Sequence, residues 1–343
     1  MASRLQRQLQ LLTAHLVVAL VALVVIGGAT RVMQAGLACP DWPLCYGSFL
    51  PGRQMNLEVF LEWFHRLDAF VVGIGVLVLA TTAVVQRQQL PRWLPWLSGA
   101  CLVLVAFQGA LGALTVTLLL PPAIVTAHLA TALLLVMLVS VCHQLLEAEA
   151  APLGPEPLAR SSGAPGLATT SGVVPGPGAL ALQTAPPWWP WLAGLATLLV
   201  AAQSLLGGLM ATQWAASLCF SAGSGCGWLG AHRFAATPAA LGVLLLAVLT
   251  ALSAGWCRHQ RPLTTTAALL VIGQIGLGVS SLRLQLAVPG VTIAHQLVAA
   301  LLLAILAALT CRGWLALVPK PFSAPAPAPR AVLSPSPAEV VHG

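Results

Sequence analysis

Leu11–Gly28 reads LLTAHLVVALVALVVIGG, without a lysine, arginine, aspartate or glutamate. A helix needs about 20 largely apolar residues to cross the hydrocarbon core of a bilayer. This run meets that need. No small-residue cleavage site leads from it into a soluble domain, so it reads as a retained span and not as a signal peptide. Runs of the same kind recur along the 343 residues, of which 58% are hydrophobic and only 7% charged. A soluble domain carries about 25% charged residues. The composition therefore excludes an ordinary soluble enzyme, a nucleic-acid binder and a disordered chain. The expected fold class is all-α and integral to the lipid bilayer. Eight transmembrane helices are expected at roughly 12–34, 57–85, 93–118, 122–145, 188–213, 228–256, 263–285 and 290–312.

In such a chain the net charge of +7 is first a statement about topology. With the N-terminus inside, Arg4, Arg7, Arg87, Arg92, Arg160, Arg258, Arg261, Arg312, Lys320 and Arg330 fall on the inner side. Arg31, Arg53, Arg66, Arg233 and Arg283 fall on the outer side. That excess puts both termini in the cytoplasm. Cys39 and Cys45 then lie in the first outer loop, and Cys219 and Cys226 in the third. Close cysteine pairs on the oxidising side are expected to form disulfides, the alternative being four free loop thiols.

Residues 147–187 are rich in Pro, Gly, Ala and Ser and read as a flexible cytoplasmic linker. The tail, 319–343, has the same character. The linker divides the chain into an N-terminal four-helix bundle, 1–146, and a C-terminal one, 188–318. The halves resemble each other. Gln108-Gly-Ala-Leu-Gly112 precedes Pro122 and His128, and Gln274-Ile-Gly-Leu-Gly278 precedes Pro289 and His295. His65-Arg66 matches His232-Arg233, and Gly27-Gly28 matches Gly207-Gly208. Four spans per half is an even number, so both halves share one membrane orientation and form a parallel, pseudo-symmetric repeat.

His65, His128, His232 and His295 each sit a few turns inside the outer end of an even-numbered span. An ionisable side chain there is costly and faces a bundle interior. Two imidazoles from facing helices at one depth suit the axial positions of a haem iron, one haem per half. Arg66 and Arg233 follow candidate ligands and Arg31 lies near the same surface, where arginines pair with haem propionates. Glu62 precedes His65 by three residues on one helix face, whereas Leu229 stands at the matching position before His232. A carboxylate beside only one metal site points to proton-coupled chemistry there, the other site carrying electrons. Asp68 also lacks a repeat partner.

Gly36-Leu-Ala-Cys39-Pro-Asp41-Trp42-Pro-Leu-Cys45, Glu62-Trp-Phe-His65-Arg66-Leu and the repeated histidines His128, His232 and His295 together resemble the haem A synthase family. The resemblance spans all eight helices, although the linker is long for that family. It implies a multi-pass enzyme of the bacterial plasma membrane. That enzyme oxidises a ring methyl of haem O to a formyl group by successive hydroxylations, for terminal oxidase biogenesis. It implies Glu62 as catalytic, His65, His128 and Arg66 as substrate-haem residues, and His232 and His295 as ligands of a haem b cofactor. It implies haem O synthase as a partner, and leaves open the electron donor and a homo-oligomer. The competing readings are a di-haem electron-transfer protein such as a quinol oxidoreductase, and a haem transporter or chaperone. Only the enzyme turns its haem into a new product.

Overall fold

The computed structural model describes residues 4–150, 184–212, 219 and 226–317. Apart from a few edge residues, the stretches read as linker and tail lie outside the described residues. The described residues form eight long helices and no strand. These are α1 (Arg4–Val32), α2 (Leu57–Val85), α3 (Leu94–Thr117), α4 (Pro122–Ala150), α5 (Trp188–Met210), α6 (Gly227–Leu252), α7 (Cys257–Arg283) and α8 (Pro289–Leu315). Each is long and apolar enough to cross a membrane, and the chain is a multi-pass membrane protein.

Several helices outrun the apolar stretches that announce them. α1 starts at Arg4 and α4 continues to Ala150. Hydropathy ends where the bilayer does, but Arg, Gln, Leu and Glu are good helix formers and carry the helix on. These extensions are anchored. Gln10 of α1 donates from its amide to the Leu146 carbonyl of α4, at 2.9 Å. At the other end, Asn56 caps α2 by accepting from the Val59 N–H at 2.8 Å. Pro122 and Pro289 each open a helix, where the missing N–H costs no hydrogen bond.

Within each half the helices form a four-membered ring. α1 packs on α2 and α4, and α3 packs on the same two. α5 packs on α6 and α8, and α7 packs on the same two. The halves meet where α8 lies against α1 and α4, and where α4 meets α5. α8 accordingly has a deeply buried stretch, including Ala300, Leu302, Leu303, Leu306 and Leu309. Lipid is as apolar as leucine, so the hydrophobic effect does not hold these helices together. Close packing and interhelical hydrogen bonds do. Ser140 of α4 donates to the Ala304 carbonyl of α8 at 2.9 Å. Trp189 of α5, fully buried, lies over Gly313 of α8, where an added Cβ would come within 2.3 Å of the indole.

The α3–α4 and α7–α8 turns share one geometry. Leu119 and Leu120 have φ of 58° and 61°, and Gln285 and Leu286 have 50° and 60°. In both, a six-residue hydrogen bond closes the helix end: Leu120 N–H to Thr115 O at 2.8 Å, and Leu286 N–H to Ser281 O at 2.9 Å. This is a Schellman-type cap built on residues other than glycine. Each turn feeds at once into a proline-led helix that carries a histidine.

Candidate functional site

Four imidazoles are seated alike. His65 on α2 faces Gly27 of α1, and His128 on α4 faces Gly112 of α3. His232 on α6 faces Gly207 of α5, and His295 on α8 faces Gly278 of α7. In each case the ring carbon Cε1 approaches the glycine most closely. A Cβ added at Gly27, Gly207, Gly278 or Gly112 would lie 2.8, 2.9, 3.1 or 3.6 Å from it. The bare backbone lets each ring reach the main chain. Each ring is turned toward the carbonyl four residues before its glycine, that of Leu23, Gln108, Gln203 or Gln274. The contact is most direct for His295, with Nδ1 3.1 Å from the Gln274 carbonyl. A carbonyl partner fixes the turn of the His295 ring, and the Gln274 side-chain amide lies 3.4 Å from its other nitrogen, Nε2.

Three of these carbonyls belong to glutamines whose side chains brace the histidine helices. The Gln108 amide donates to the His128 carbonyl, and the Gln203 amide to the His232 carbonyl, both at 2.9 Å. The Gln203 amide also lies 3.0 Å from His232 Nδ1. Sequence reasoning passed over these residues as ligand supports. A signal was there: Gln-x-x-x-Gly recurs in α3, α5 and α7 as Gln108–Gly112, Gln203–Gly207 and Gln274–Gly278. That spacing sets both residues on one helix face. α1 departs from it, with Leu23 in the glutamine's place.

The rings fall into two pairs. His65 and His128 come within electrostatic reach of one another, as do His232 and His295. No group of three or more His, Cys, Asp or Glu suited to a bare metal ion occurs among the described residues. Two nitrogen ligands per half instead match the axial demand of a haem iron. Nδ1 of both His65 and His128 is buried without a hydrogen-bond partner. These polar atoms and the glycine-walled seats fit a ligand that enters between the helices.

The N-terminal site alone carries a described lid. Cys39 and Cys45 are bonded to each other in the α1–α2 connection, and both are buried. Glu62, the only buried carboxylate among the described residues, accepts from the Cys39 N–H at 2.8 Å and pairs with Arg66 one turn on. Arg66 donates to the Asp41 carbonyl at 2.7 Å and to the Leu44 carbonyl. The Asp41 carboxylate in turn accepts from the Tyr46 and Gly47 N–H groups at 2.6 and 2.8 Å. The loop motif and the Glu-x-x-His-Arg motif are thus one unit: the α2 pair holds the disulfide loop beside His65. In the second half Cys219 and Cys226 are bonded, and residues 220–225 between them lie outside the described residues.

Of the remaining residues, Arg31 is interior and reaches across to the second half, whereas Arg233 is exposed on α6. Asp68 Oδ2 is buried without a partner on α2. The other described histidines lie elsewhere. His15 is exposed and bonds the Leu11 carbonyl of its own helix, and His143 bonds Thr13 and Glu147 at the far end of the bundle.

The chain has relatives. Residues 10–225, more than half of it, match the family model COX15-CtaA, described as a cytochrome oxidase assembly protein. It is 37% identical over 123 residues to a heme A synthase of Shewanella oneidensis, covering 31% of this chain and 36% of that one. It is 36% identical over 96 residues to a heme A synthase of Bacillus pumilus, covering 27% of this chain and 31% of that one. A stretch of 58 residues, 17% of this chain, is 40% identical to 12% of a protoheme IX farnesyltransferase of Haloarcula marismortui. The matched segments thus span about a third of the length of the two synthases. The family match takes in most of α1 and the whole of α2 to α4, with Glu62, His65 and His128, and continues through α5 with Gly207. The chain belongs to the COX15-CtaA family of cytochrome oxidase assembly proteins.

Proposed function

We propose that this protein is a haem A synthase of the bacterial plasma membrane, with both termini in the cytoplasm. It oxidises a ring methyl of haem O to a formyl group by successive hydroxylations, for use in terminal oxidases. The observation that carries this reading is the unequal pair of sites. Two histidine pairs sit on matched glycine seats, but among the described residues only the pair His65–His128 has a buried carboxylate under a disulfide-bonded lid. A protein that merely passed electrons between two haems, or ferried haem, has no use for that difference.

In this reading His65 and His128 hold the iron of the substrate, haem O. Arg66 meets a substrate carboxylate with the N–H groups not given to the lid. Glu62 has two tasks. It fixes the lid through Cys39, and it is a buried carboxylate one helical turn from His65, able to take a proton from the methyl being oxidised. His232 and His295 hold haem b, with Arg233 as a propionate contact; Arg31, expected there too, gives its Nη groups to Gly208 and Gln296 in the seam between the halves. Haem b, when bound, supplies the means to carry electrons to the first site. A haem O synthase, which farnesylates haem, is the partner that must supply the substrate.

The test is turnover. Purified protein is given haem O and a reductant, and the extracted haems are weighed by mass spectrometry. The formyl product, with a hydroxylated precursor at early times, is expected. Unchanged haem O in a protein whose haem b cycles between redox states would refute the synthase and leave the electron carrier. Unchanged haem O that exchanges readily with vesicles would leave the transporter.

A further inference from the structure

The two halves interlock at the depth of the histidines through one residue from each. Leu129, next to His128, fills the notch at Gly208, where an added Cβ would lie 2.2 Å from Leu129 Cδ2. Gln296, next to His295, fills the matching notch at Gly28, where a Cβ would lie 2.0 Å from Gln296 Oε1. The shapes match and the chemistry does not. The Gln296 amide donates to the Val24 carbonyl of α1 at 3.0 Å and accepts from Arg31 Nη2 at 3.3 Å. Arg31 also donates through Nη1 to the Gly208 carbonyl at 3.4 Å.

Arg31 is unusual among the arginines. It lies inside the protein, its Nε–H is buried without an acceptor, and it takes part in no ion pair among the described residues. Arginine keeps its proton under all ordinary conditions, so a full positive charge is fixed in the seam. Its hydrogen bonds run to the neighbours of second-site residues. Gly208 follows Gly207, the seat of His232, and Gln296 follows His295. A cation held there in low dielectric stabilises the reduced form of a nearby iron, which carries one positive charge fewer, and raises its potential.

We infer that Gln296 is a positioning residue that holds Arg31 against the second site, and that the pair raises the reduction potential of the iron held by His232 and His295. The inference rests on the reading of those histidines as haem ligands. It gives the seam a direction. A polar link from the second half into α1 stands on one side of the repeat, and plain leucine packing on the other.

The experiment is a spectroelectrochemical titration of the haem-loaded protein and three variants. Gln296→Leu keeps the bulk that Leu129 supplies in the matching notch and removes both hydrogen bonds. Arg31→Gln removes the charge, and the third variant carries both changes. Each single change is expected to lower the midpoint potential, and the double variant to titrate with Arg31→Gln, since Gln296 acts through Arg31. Gln296→Glu, which sets a carboxylate on the guanidinium and leaves Arg31 in place, is expected to lower the potential even if Arg31→Gln fails to fold. A wild-type potential in both Gln296→Leu and Gln296→Glu overturns the inference, as does a double variant whose shift is the sum of the two. Wild-type protein that binds no low-spin haem overturns the haem reading itself, and this inference with it.

Discussion

The glycine seats make a graded prediction. An alanine at Gly207 puts its Cβ 2.9 Å from His232 Cε1, where carbon atoms rest at about 3.5–4.0 Å. The ring must therefore retreat by about 0.6 Å or the helices must part. Overpacking of this kind costs about 1–3 kcal/mol. If that cost falls on the ligand geometry, haem retention weakens about 5- to 150-fold. The helix itself does not suffer, because alanine is favoured over glycine there by about 1 kcal/mol. Gly27→Ala, at 2.8 Å from His65, should do the same to the first site, and Gly278→Ala, at 3.1 Å, should do less. Gly112→Ala, at 3.6 Å from His128, is an ordinary contact and should change nothing. The assay is haem content per protein after purification, by pyridine haemochrome, with the low-spin absorption of each variant. Full haem content in Gly207→Ala, or equal losses in Gly112→Ala and Gly207→Ala, would refute the idea that bare backbone seats the ligands.

Three further outcomes are expected. His232→Leu should abolish the low-spin b-type spectrum in reduced protein; an unchanged spectrum rejects His232 as an axial ligand. Glu62→Gln leaves one acceptor oxygen where the Cys39 N–H and Arg66 donate to two and sets an N–H2 group against the other donor, loosening the lid by about 1.5–3 kcal/mol. The second-site haem should stay and conversion of haem O should fall away, so a near-normal yield of haem A would return Glu62 to a purely structural part. Replacing Cys39 and Cys45 together with serine opens a short loop worth about 2 kcal/mol. Faster hydrogen exchange confined to the lid is expected, with melting in detergent little changed, and a collapse of the whole fold would contradict it.

The spans and the four histidines were legible because each is a strong local signal: a long apolar run, or an ionisable residue where apolar ones are the rule. The proline-led starts of α4 and α8 were legible for the same reason. What hid were relations between helices. Gly27 and Gly207 stood out as repeats, but which ring each would face depends on helix rotation, which an apolar stripe with lipid on one side barely constrains. Nothing near Gln296 in the sequence singles it out, since its partners lie in α1, over 260 positions away. The pairing of Glu62 with Arg66 follows from their spacing of four. Its hold on Cys39 depends on a loop that only the fold brings back onto α2. Helix ends such as Arg4 were misplaced by reading the edge of the bilayer as the edge of the helix.

α8 follows the other described helices along the chain, yet α1 and α4 lean on it. A chain is synthesised from its N-terminus at about 5–20 residues per second, so α1 to α4 stand in the bilayer for about 10–30 s before α8 follows. During that time the Val24 carbonyl and the Ser140 hydroxyl, which α8 later meets, face lipid or each other's helices. The face of the first half that α8 covers is therefore laid down early and sealed late. The seam between the halves, with the Arg31–Gln296 link in it, closes only after all four helices of the first ring stand in place.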